Sequence, residues 1–175
     1  MSRKKVNVTN LTQIGLFTAL IVVFSQISIP LPLGVPLTLQ TFIIPVAGIV
    51  LGSKNGVISV LLYILLGAMG LPVFSNFRSG LGHIIGPLGG FILSFPIMAF
   101  LAGFKASAKN KFLLPVCLIL GSSLNFLAGM LWFMVVTQVS LTGAFYATVL
   151  PFIPTGLLSM MMALIVGRAI RKRLH

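Results

Sequence analysis

The sequence contains no aspartate and no glutamate, although it has 12 lysine and arginine residues. A chain without carboxylate side chains cannot bind a metal ion through carboxylates, use one as a general acid or base, or relay protons through Asp and Glu. Cysteine is almost absent as well, since Cys117 is the only one, and this excludes a disulfide within the chain. We expect Cys117 to be a small apolar residue inside a helix.

Charge of either sign is scarce, because only 7% of the residues are charged while 58% are hydrophobic, with a mean hydropathy of +1.15. A soluble domain carries roughly 25% charged residues. No folded core in water could hide so much apolar surface. The composition therefore predicts a membrane protein in which lipid contacts the outer face of the helices.

The apolar runs predict an all-α bundle of six transmembrane helices that forms a single domain over residues 1–175. Spanning helices need about 20 apolar residues, or fewer when they are enclosed in a bundle. The first run follows a basic start, as in a signal peptide, but its length favours a helix that is retained. The six predicted helices are residues 11–30, 37–51, 56–71, 87–104, 112–136 and 145–170, the last with a break near Pro151 and Pro154.

The basic residues predict the orientation of the bundle. With the N-terminus in the cytoplasm, the inner segments hold eleven of them and the outer segments hold only Arg78. Cytoplasmic loops are enriched in Lys and Arg in this way. We therefore expect both termini to be cytoplasmic, and we attribute the net charge of +12 to anionic lipid headgroups rather than nucleic acid. The eleven inner residues are Arg3, Lys4, Lys5, Lys54, Lys105, Lys109, Lys111, Arg168, Arg171, Lys172 and Arg173.

Two predicted outer loops, residues 30–40 and 71–87, are unusually apolar. The first is rich in proline, and the second mixes glycine with aromatic residues. Solvated loops are normally polar, so these two segments are expected to cover something or to re-enter the membrane. The alternative is that they pack at the lipid headgroups.

Arg78 and His83 are the ionisable residues in the second of these loops. A guanidinium group in a Gly-rich apolar loop suits a carboxylate or phosphate ligand. The alternative for Arg78 is a surface side chain that reaches the outer headgroups. An intramembrane hydrolase built on His83 and a serine is disfavoured, because His83 lies between Gly82 and Ile84 in an outer loop and His175 is in the tail.

Polar residues within the predicted helices indicate a second group of candidates. They fall in the outer half or the centre of the bundle, where they could line one pocket open to the outside. The alternative is interhelical hydrogen bonding that holds the bundle together, and Trp132 could equally anchor the helix at the interface. These residues are Gln40, Asn125, Trp132, Thr155 and Ser159.

Gly15 and Ala19 lie four residues apart on the first predicted helix. Small residues at this spacing let another helix approach closely. That helix could belong to this chain or to a partner protein.

Five strings in this chain resemble the BioY family, the biotin-binding S components of energy-coupling factor (ECF) transporters. They occur in the same order and with the same spacing over nearly the whole chain. They are Gly34-Val-Pro-Leu-Thr-Leu-Gln40, Leu-Leu-Gly-Ala-Met-Gly-Leu-Pro-Val-Phe at 65–74, Gly86-Pro-Leu-Gly-Gly-Phe91, Leu131-Trp-Phe133 and Leu150-Pro-Phe-Ile-Pro154.

The resemblance implies the six-helix ECF S-component fold in the plasma membrane, with a biotin site near the outer face beneath the two apolar loops. It implies as partners a transmembrane T subunit, which would dock on Gly15 and Ala19, and two cytoplasmic ATPases. Biotin would be a ligand, and no cofactor is expected. The residues expected to bind it are Gln40, Phe74, Arg78, His83, Asn125, Trp132, Thr155 and Ser159.

Within this set, the resemblance and the chemistry of biotin suggest individual roles. Arg78 or backbone N–H groups of the loops would contact the carboxylate, and Phe74 with Trp132 would form an aromatic wall. Asn125 and the sixth-helix hydroxyl groups would bind the ureido ring. Many family members carry Asp and Lys where this chain has Gly156 and Ser159, so an ionic partner of the ureido group is absent here. The alternatives are an S component for another small vitamin-like anion, a membrane scaffold without transport activity, or an intramembrane enzyme.

Overall fold

The computed structural model describes residues 8–31, 35–104, 106 and 112–174. Several predictions of the preceding section fall outside these ranges. The positions of Arg3, Lys4, Lys5, Lys105, Lys109 and Lys111 are among them.

The described part of the chain is almost entirely helical. A two-stranded antiparallel ribbon, β1 (Ser28–Ile29) and β2 (Leu37–Thr38), follows the first helix. Two short 3₁₀ turns, Ser75–Phe77 and Leu150–Phe152, lie between helices. The helices are α1 (Val8–Gln26), α2 (Gln40–Ala68), α3 (Leu81–Ile85), α4 (Gly89–Phe104), α5 (Leu113–Thr137), α6 (Leu141–Thr148) and α7 (Ile153–Leu174).

The helix α2 reverses its direction at Gly52. Gly52 has φ 79° and ψ 167°, a conformation that glycine adopts readily because it has no Cβ. A Cβ built on Gly56 would lie 2.8 Å from the Cα of Gly48, whereas eight residues of continuous helix separate two Cα atoms by about 12 Å. The element is therefore two antiparallel arms, residues 40–51 and 53–68, and the predicted loop between the second and third helices is a single-residue turn.

Helix α4 packs against both arms of α2 at glycine positions. A Cβ on Gly48 would lie 2.3 Å from the carbonyl oxygen of Ala99, and a Cβ on Gly103 would lie 2.2 Å from the backbone nitrogen of Ser53. Only residues without a side chain permit such close approach of two backbones. Most of the hydrophobic core lies between α1, α2 and α4.

Helices α1 and α7 flank the α2 arms. The Thr18 hydroxyl on α1 donates to the carbonyl oxygen of Ser59 at 3.1 Å, and the Ser59 hydroxyl donates to that of Ile14 at 3.3 Å. On the other side, Arg171 near the end of α7 donates to the carbonyl oxygen of Ile49. The start of α1 and the end of α7 therefore both lie at the end of the bundle where Gly52 makes its turn.

The last predicted helix, residues 145–170, is divided into α6, a 3₁₀ turn and α7. The break falls at Pro151 and Pro154, as expected, because proline cannot donate the backbone hydrogen bond of a continuing helix. Helix α7 also continues beyond the predicted end, as far as Leu174.

The outer surface of the bundle is strongly apolar. By length and composition, four of the described segments could cross a membrane, namely Val8–Gln26, Gln40–Ala68, Leu113–Thr137 and Leu141–Leu174, and Gly89–Phe104 is a shorter apolar helix. Of these, Gln40–Ala68 folds back at Gly52 and so presents two shorter arms. Side chains such as Leu61, Ile119 and Ile165 are at least half exposed. Apolar exposure on this scale indicates contact with lipid.

The two ends of the bundle differ in charge. Of the described basic residues, Lys54 lies beside the Gly52 turn, and Arg168, Arg171, Lys172 and Arg173 lie in the last turns of α7. We call this the basic end. Arg78 lies at the opposite end, which also contains the ribbon and the segment between α2 and α4.

Candidate functional site

The end of the bundle opposite the basic end contains a cavity. Its lining residues surround about 610 Å³ of space that no atom fills, including space that is open to solvent. Its lining is mostly apolar, with a few polar side chains. The lining residues are Val35, Pro36, Leu37, Thr38, Gln40, Thr41, Phe74, Ser75, His83, Leu88, Phe91, Ile92, Phe95, Asn125, Phe126, Phe152, Thr155 and Gly156.

Two chain segments outside the long helices close over this cavity. The first is residues 35–39, which includes β2, and the second is residues 73–83, which ends within α3. We call them the first and second cover segments. They correspond to the two apolar loops of the sequence, so the prediction that these loops cover a site agrees with the position of the cavity.

The second cover segment is fixed in place by close packing and by an unusual backbone. The ring of Phe74 lies against Gly67, where a Cβ atom would approach it to 2.1 Å. Asn76 and Phe77 both have positive φ angles, 58° and 55°, which is uncommon for residues other than glycine. This turn allows the backbone nitrogen of Phe74 to donate to the carbonyl oxygen of Arg78 at 3.0 Å.

Asn125 supplies a fixed hydrogen-bond acceptor to the cavity. Its side chain is buried, and its Nδ2 donates to the carbonyl oxygen of Phe91 at 2.9 Å and to the hydroxyl of Ser94 at 2.7 Å. The Ser94 hydroxyl in turn donates to the carbonyl oxygen of Gly90 at 2.7 Å. Both amide hydrogens are therefore used within the protein, and the group that Asn125 offers to a ligand is its carbonyl oxygen Oδ1.

Gln40, at the start of α2, also lines the cavity and has a similarly constrained amide. Its Oε1 accepts a hydrogen bond from the Thr38 hydroxyl at 2.8 Å, and its Nε2 donates to the phenol oxygen of Tyr63 at 2.7 Å. One of its two amide hydrogens and part of the acceptor capacity of Oε1 therefore remain for a ligand.

His83 and Phe74 form an aromatic pair at the cavity wall. Their rings are stacked with centroids 5.2 Å apart and an interplanar angle of 27°. Burial lowers the pKa of His83 below its ordinary value of 6.5, and the positive charge of Arg78 lowers the pKa further. At neutral pH His83 is therefore an uncharged imidazole that can both donate and accept a hydrogen bond.

Two prolines free backbone carbonyl groups at the cavity wall. Pro45 lies within α2 and Pro96 within α4, and each proline leaves the carbonyl four residues earlier without its helical donor. The residues concerned, Thr41 and Ile92, both line the cavity. They add acceptor capacity to a wall that is otherwise largely apolar.

Of the eight residues expected to bind a ligand, five line the cavity together: Gln40, Phe74, His83, Asn125 and Thr155. Arg78 does not line it. Its exposed side chain lies in an adjoining hollow that shares Pro36, Ser75 and Leu88 with the cavity.

Trp132 and Ser159 also lie outside the lining. The indole nitrogen of Trp132 donates to the carbonyl oxygen of Gly86 at 2.9 Å, so Trp132 holds the turn between α3 and α4. Ser159 is buried next to Thr41, whose hydroxyl donates to it at 3.4 Å. The expectation that Trp132 forms an aromatic wall of the pocket is therefore not met by its position.

The wall at Gly156 is filled by an aromatic ring rather than by a charged side chain. A Cβ on Gly156 would meet the ring of Phe126 at 3.3 Å. An aspartate at this position would therefore require Phe126 to move. Among the described residues, no lysine or arginine side chain lines the cavity.

Several lining residues were not among the sequence candidates. Hydroxyl groups of Thr38, Thr41 and Ser75 and four phenylalanines contribute to the wall: Phe91, Phe95, Phe126 and Phe152. Some of them lie within the strings that carry the family resemblance, and those strings were the feature of the sequence that could have indicated them. A phenylalanine in an apolar helix otherwise looks the same whether it faces lipid or a cavity.

Gly15 and Ala19 are exposed on the outer face of α1. No atom lies within 4 Å of a Cβ built on Gly15. These small residues therefore make no close helix contact within the described part of the chain, which leaves their face open to another protein or to lipid.

The arrangement is suited to binding rather than to catalysis. The cavity combines apolar and aromatic walls with fixed neutral acceptors and donors, and among its described lining residues the titratable side chain is His83. Among the described residues no group of three or more His, Cys, Asp or Glu side chains is placed to hold a metal ion. A compact ligand with an apolar body and N–H donors matches this wall.

Comparison with known proteins agrees with this chemistry. The model of the BioY family matches residues 1–175. The probable biotin transporter BioY of Pyrococcus horikoshii is 40% identical over 158 residues, which are 90% of this chain and 93% of the relative. The biotin transporter BioY of Rhodobacter capsulatus is 36% identical and is aligned over 92% of both chains. That of Thermotoga maritima is 50% identical over 102 residues, 58% of this chain and 60% of the relative.

A solved structure has the same fold. The crystal structure of the S-component for biotin from an ECF-type ABC transporter superposes with a TM-score of 0.87 and 28% sequence identity, covering 98% of this chain and 95% of that one.

Proposed function

Because this chain belongs to the BioY family, we propose that it is the biotin-binding membrane subunit, or S component, of an ECF-type transporter. It captures biotin at the outer face of the membrane for import. Its task is binding and transport rather than catalysis.

The observation that carries this proposal is the cavity beneath the two cover segments. Biotin has a ureido group with two N–H donors and one carbonyl acceptor, an apolar bicyclic body and a carboxylate on a flexible chain. The fixed Oδ1 of Asn125 can accept from a ureido N–H. The hydrogen of Gln40 that remains free can serve the ureido carbonyl, and the phenylalanine wall suits the bicyclic body.

The carboxylate of the bound ligand is proposed to point toward Arg78. The hollow that contains Arg78 adjoins the cavity through Pro36, Ser75 and Leu88. A ligand seated in the cavity can extend its carboxylate chain past these residues. Because Arg78 is exposed, we expect this contact to be screened and to contribute modestly.

The protein is proposed to cross the plasma membrane six times, with both termini in the cytoplasm. The crossings are α1, the two arms of α2, α4, α5, and α6 with α7. The described basic residues other than Arg78 lie at the end of the bundle that contains the Gly52 turn, which is the pattern of a cytoplasmic side. The cavity then opens toward the outside.

Isothermal titration of the purified chain with biotin tests the function. We expect saturable one-to-one binding without any partner. Biotinamide, which lacks the carboxylate, serves as the matched ligand and should bind more weakly. Absence of binding to biotin would reject the proposal. A thermal shift with another vitamin-like anion would then support an S component of different specificity, and no shift with any ligand would support a scaffold.

The partners are proposed to be a transmembrane T subunit and two cytoplasmic ATPases. The chain has no nucleotide-binding motif of its own, and the exposed Gly15 and Ala19 face of α1 offers a flat surface to a partner helix. Ala19→Leu should abolish co-purification with the partners while biotin binding stays intact. Ser123→Leu, at an exposed small residue of α5, is the matched control, and normal assembly of the Ala19→Leu protein would reject this docking surface.

A further inference from the structure

We propose that Tyr63 is a positioning residue that couples the two cover segments, so that they open and close over the cavity together. The consequence for ligand release depends on the proposed function, whereas the coupling itself does not. Tyr63 does not line the cavity, and it acts through a buried chain of hydrogen bonds.

The first half of this chain runs from the first cover segment to Tyr63. The hydroxyl of Thr38 donates to Oε1 of Gln40 at 2.8 Å, and Nε2 of Gln40 donates to the phenol oxygen of Tyr63 at 2.7 Å. The phenol oxygen thus acts as an acceptor here, and its own hydrogen is left for another partner.

The second half runs from Tyr63 to the second cover segment. Ser25, at the end of α1, is the side chain next to the Tyr63 hydroxyl that can take its remaining hydrogen. The Ser25 Oγ lies 2.6 Å from the carbonyl oxygens of both Val22 and Val73, and its single hydrogen serves one of them. With the Tyr63 hydrogen directed at Ser25, donors and acceptors follow in one direction from Thr38 to the carbonyl of Val73.

Gln26 strengthens the attachment of the second cover segment to α1. Its Nε2 donates to the carbonyl oxygens of Val73 at 3.0 Å and Phe74 at 3.1 Å. Its Oε1 accepts from the backbone nitrogen of Phe77 at 2.9 Å. The positive φ angles of Asn76 and Phe77 bring that nitrogen toward Gln26. Any movement of this segment must therefore break bonds to the end of α1.

Because its central groups are buried, the chain of hydrogen bonds responds as a unit. Tyr63 and Ser25 have 0% exposed surface and Gln40 has 7%, so water cannot replace a broken bond at the centre of the chain. A buried polar group that loses its partner carries the full cost of its desolvation. Tyr63 also packs edge-on against Phe74, with centroids 5.5 Å apart. Displacement of either cover segment therefore destabilises the position of the other.

The first test is hydrogen exchange of the purified, ligand-free chain, read separately in the two cover segments. Ser25→Ala breaks the hydrogen-bond chain next to the second cover segment and should raise hydrogen exchange in residues 37–39, on the far side. Thr38→Val breaks the hydrogen-bond chain next to the first cover segment and should raise hydrogen exchange in residues 73–77. We expect increases of about 5- to 30-fold, since each change leaves a buried group without its partner. Coupling between two sites is reciprocal, so both far effects must appear.

The second test removes only the hydroxyl at the centre of the chain. Tyr63→Phe should raise exchange in both segments and should accelerate biotin dissociation by about 5- to 30-fold, with a smaller change in the association rate. Tyr146→Phe is the matched control, because Tyr146 is 60% exposed on α6, and it should change neither quantity.

The possible outcomes test the coupling of the two cover segments separately from the binding of biotin. Exchange that rises only in the segment next to each substitution would overturn the proposal, as would equal exchange in the Tyr63→Phe and wild-type proteins. If Tyr63→Phe does not fold, the Ser25→Ala and Thr38→Val pair decides the question alone. Failure of biotin to bind would remove the proposed function, yet the exchange measurements would still decide whether the segments are coupled.

Discussion

Replacement of Asn125 by leucine should remove the acceptor that we assign to a ureido N–H of biotin. Leucine has a similar size but offers neither an acceptor nor a donor. In the wild-type protein the amide cannot rotate freely, because its Nδ2 is held by the carbonyl oxygen of Phe91 and the hydroxyl of Ser94. The orientation of Oδ1 is therefore set before the ligand arrives.

The magnitude follows from the burial of this contact. A ligand N–H that loses its partner at a buried contact costs about 1–3 kcal/mol, which raises the dissociation constant by about 5- to 150-fold. Ser94→Ala leaves the bond to Phe91 in place, so its effect should be smaller, about 0.5–1.5 kcal/mol. The dissociation constant for biotin should therefore rise in the order wild type, Ser94→Ala, Asn125→Leu.

Titration calorimetry of the purified variants measures these constants. Asn10→Leu, at an exposed asparagine of α1, is the control for the substitution itself and should bind as the wild type does. Biotin methylated on the ureido nitrogen that faces Asn125 should bind the wild-type and Asn125→Leu proteins equally. A dissociation constant for Asn125→Leu within twofold of the wild-type value would refute the assigned contact.

Three further predictions follow from other parts of the structure. Arg78→Ala should raise the Kd for biotin about 2- to 5-fold at low salt, since the side chain is exposed; the effect should shrink at high salt, and equal Kd values at low salt would exclude a carboxylate contact. Gly56→Ala should lower the melting temperature, because its Cβ would lie 2.8 Å from the Cα of Gly48. The expected loss in the free energy of unfolding is about 1–3 kcal/mol. Gly15→Ala has nothing within 4 Å and should not lower it, so similar losses in both variants would contradict the close contact. In the folded protein the pKa of His83 lies below its ordinary value of 6.5. As the pH falls below 6.5, the unfolded protein therefore takes up a proton more readily than the folded one, and the melting temperature should fall. A pH titration of wild type and His83→Gln checks this, and the same pH dependence in both proteins would argue against His83.

The helical architecture was accessible from the sequence because each signal was local. Apolar runs gave the helices, and proline marked the break before α7. The reversal at Gly52 was missed as a single-residue turn, since a glycine in a helical run does not reveal its φ angle. The end of α1 was placed too late, because residues 28–29 pair with residues 37–38 instead of continuing the helix.

The site was predictable in part for the same reason. Polar residues that an apolar helix must bury, such as Asn125 and Gln40, are conspicuous in a sequence and do line the cavity. Trp132 lies on the same face of α5 as Asn125, but seven residues of helix place it about 10 Å farther along. There it meets the turn at Gly86 instead of the cavity. The backbone turn that leaves Arg78 in the adjoining hollow depends on positive φ angles at Asn76 and Phe77. Asparagine adopts such angles more often than most residues do, but phenylalanine gives no sign of them in a sequence.

The reversal at Gly52 has a consequence for the biogenesis of the protein. Residues 40–51 and 53–68 are each shorter than the roughly 20 residues that let a helix enter the bilayer independently. Their insertion is therefore expected to be cooperative, with the two arms entering as a helical hairpin. In the proposed orientation, with both termini in the cytoplasm, the tip of this hairpin stays on the cytoplasmic side. The glycines let the arms touch each other and α4, so that backbone contact replaces part of the lipid contact of each arm.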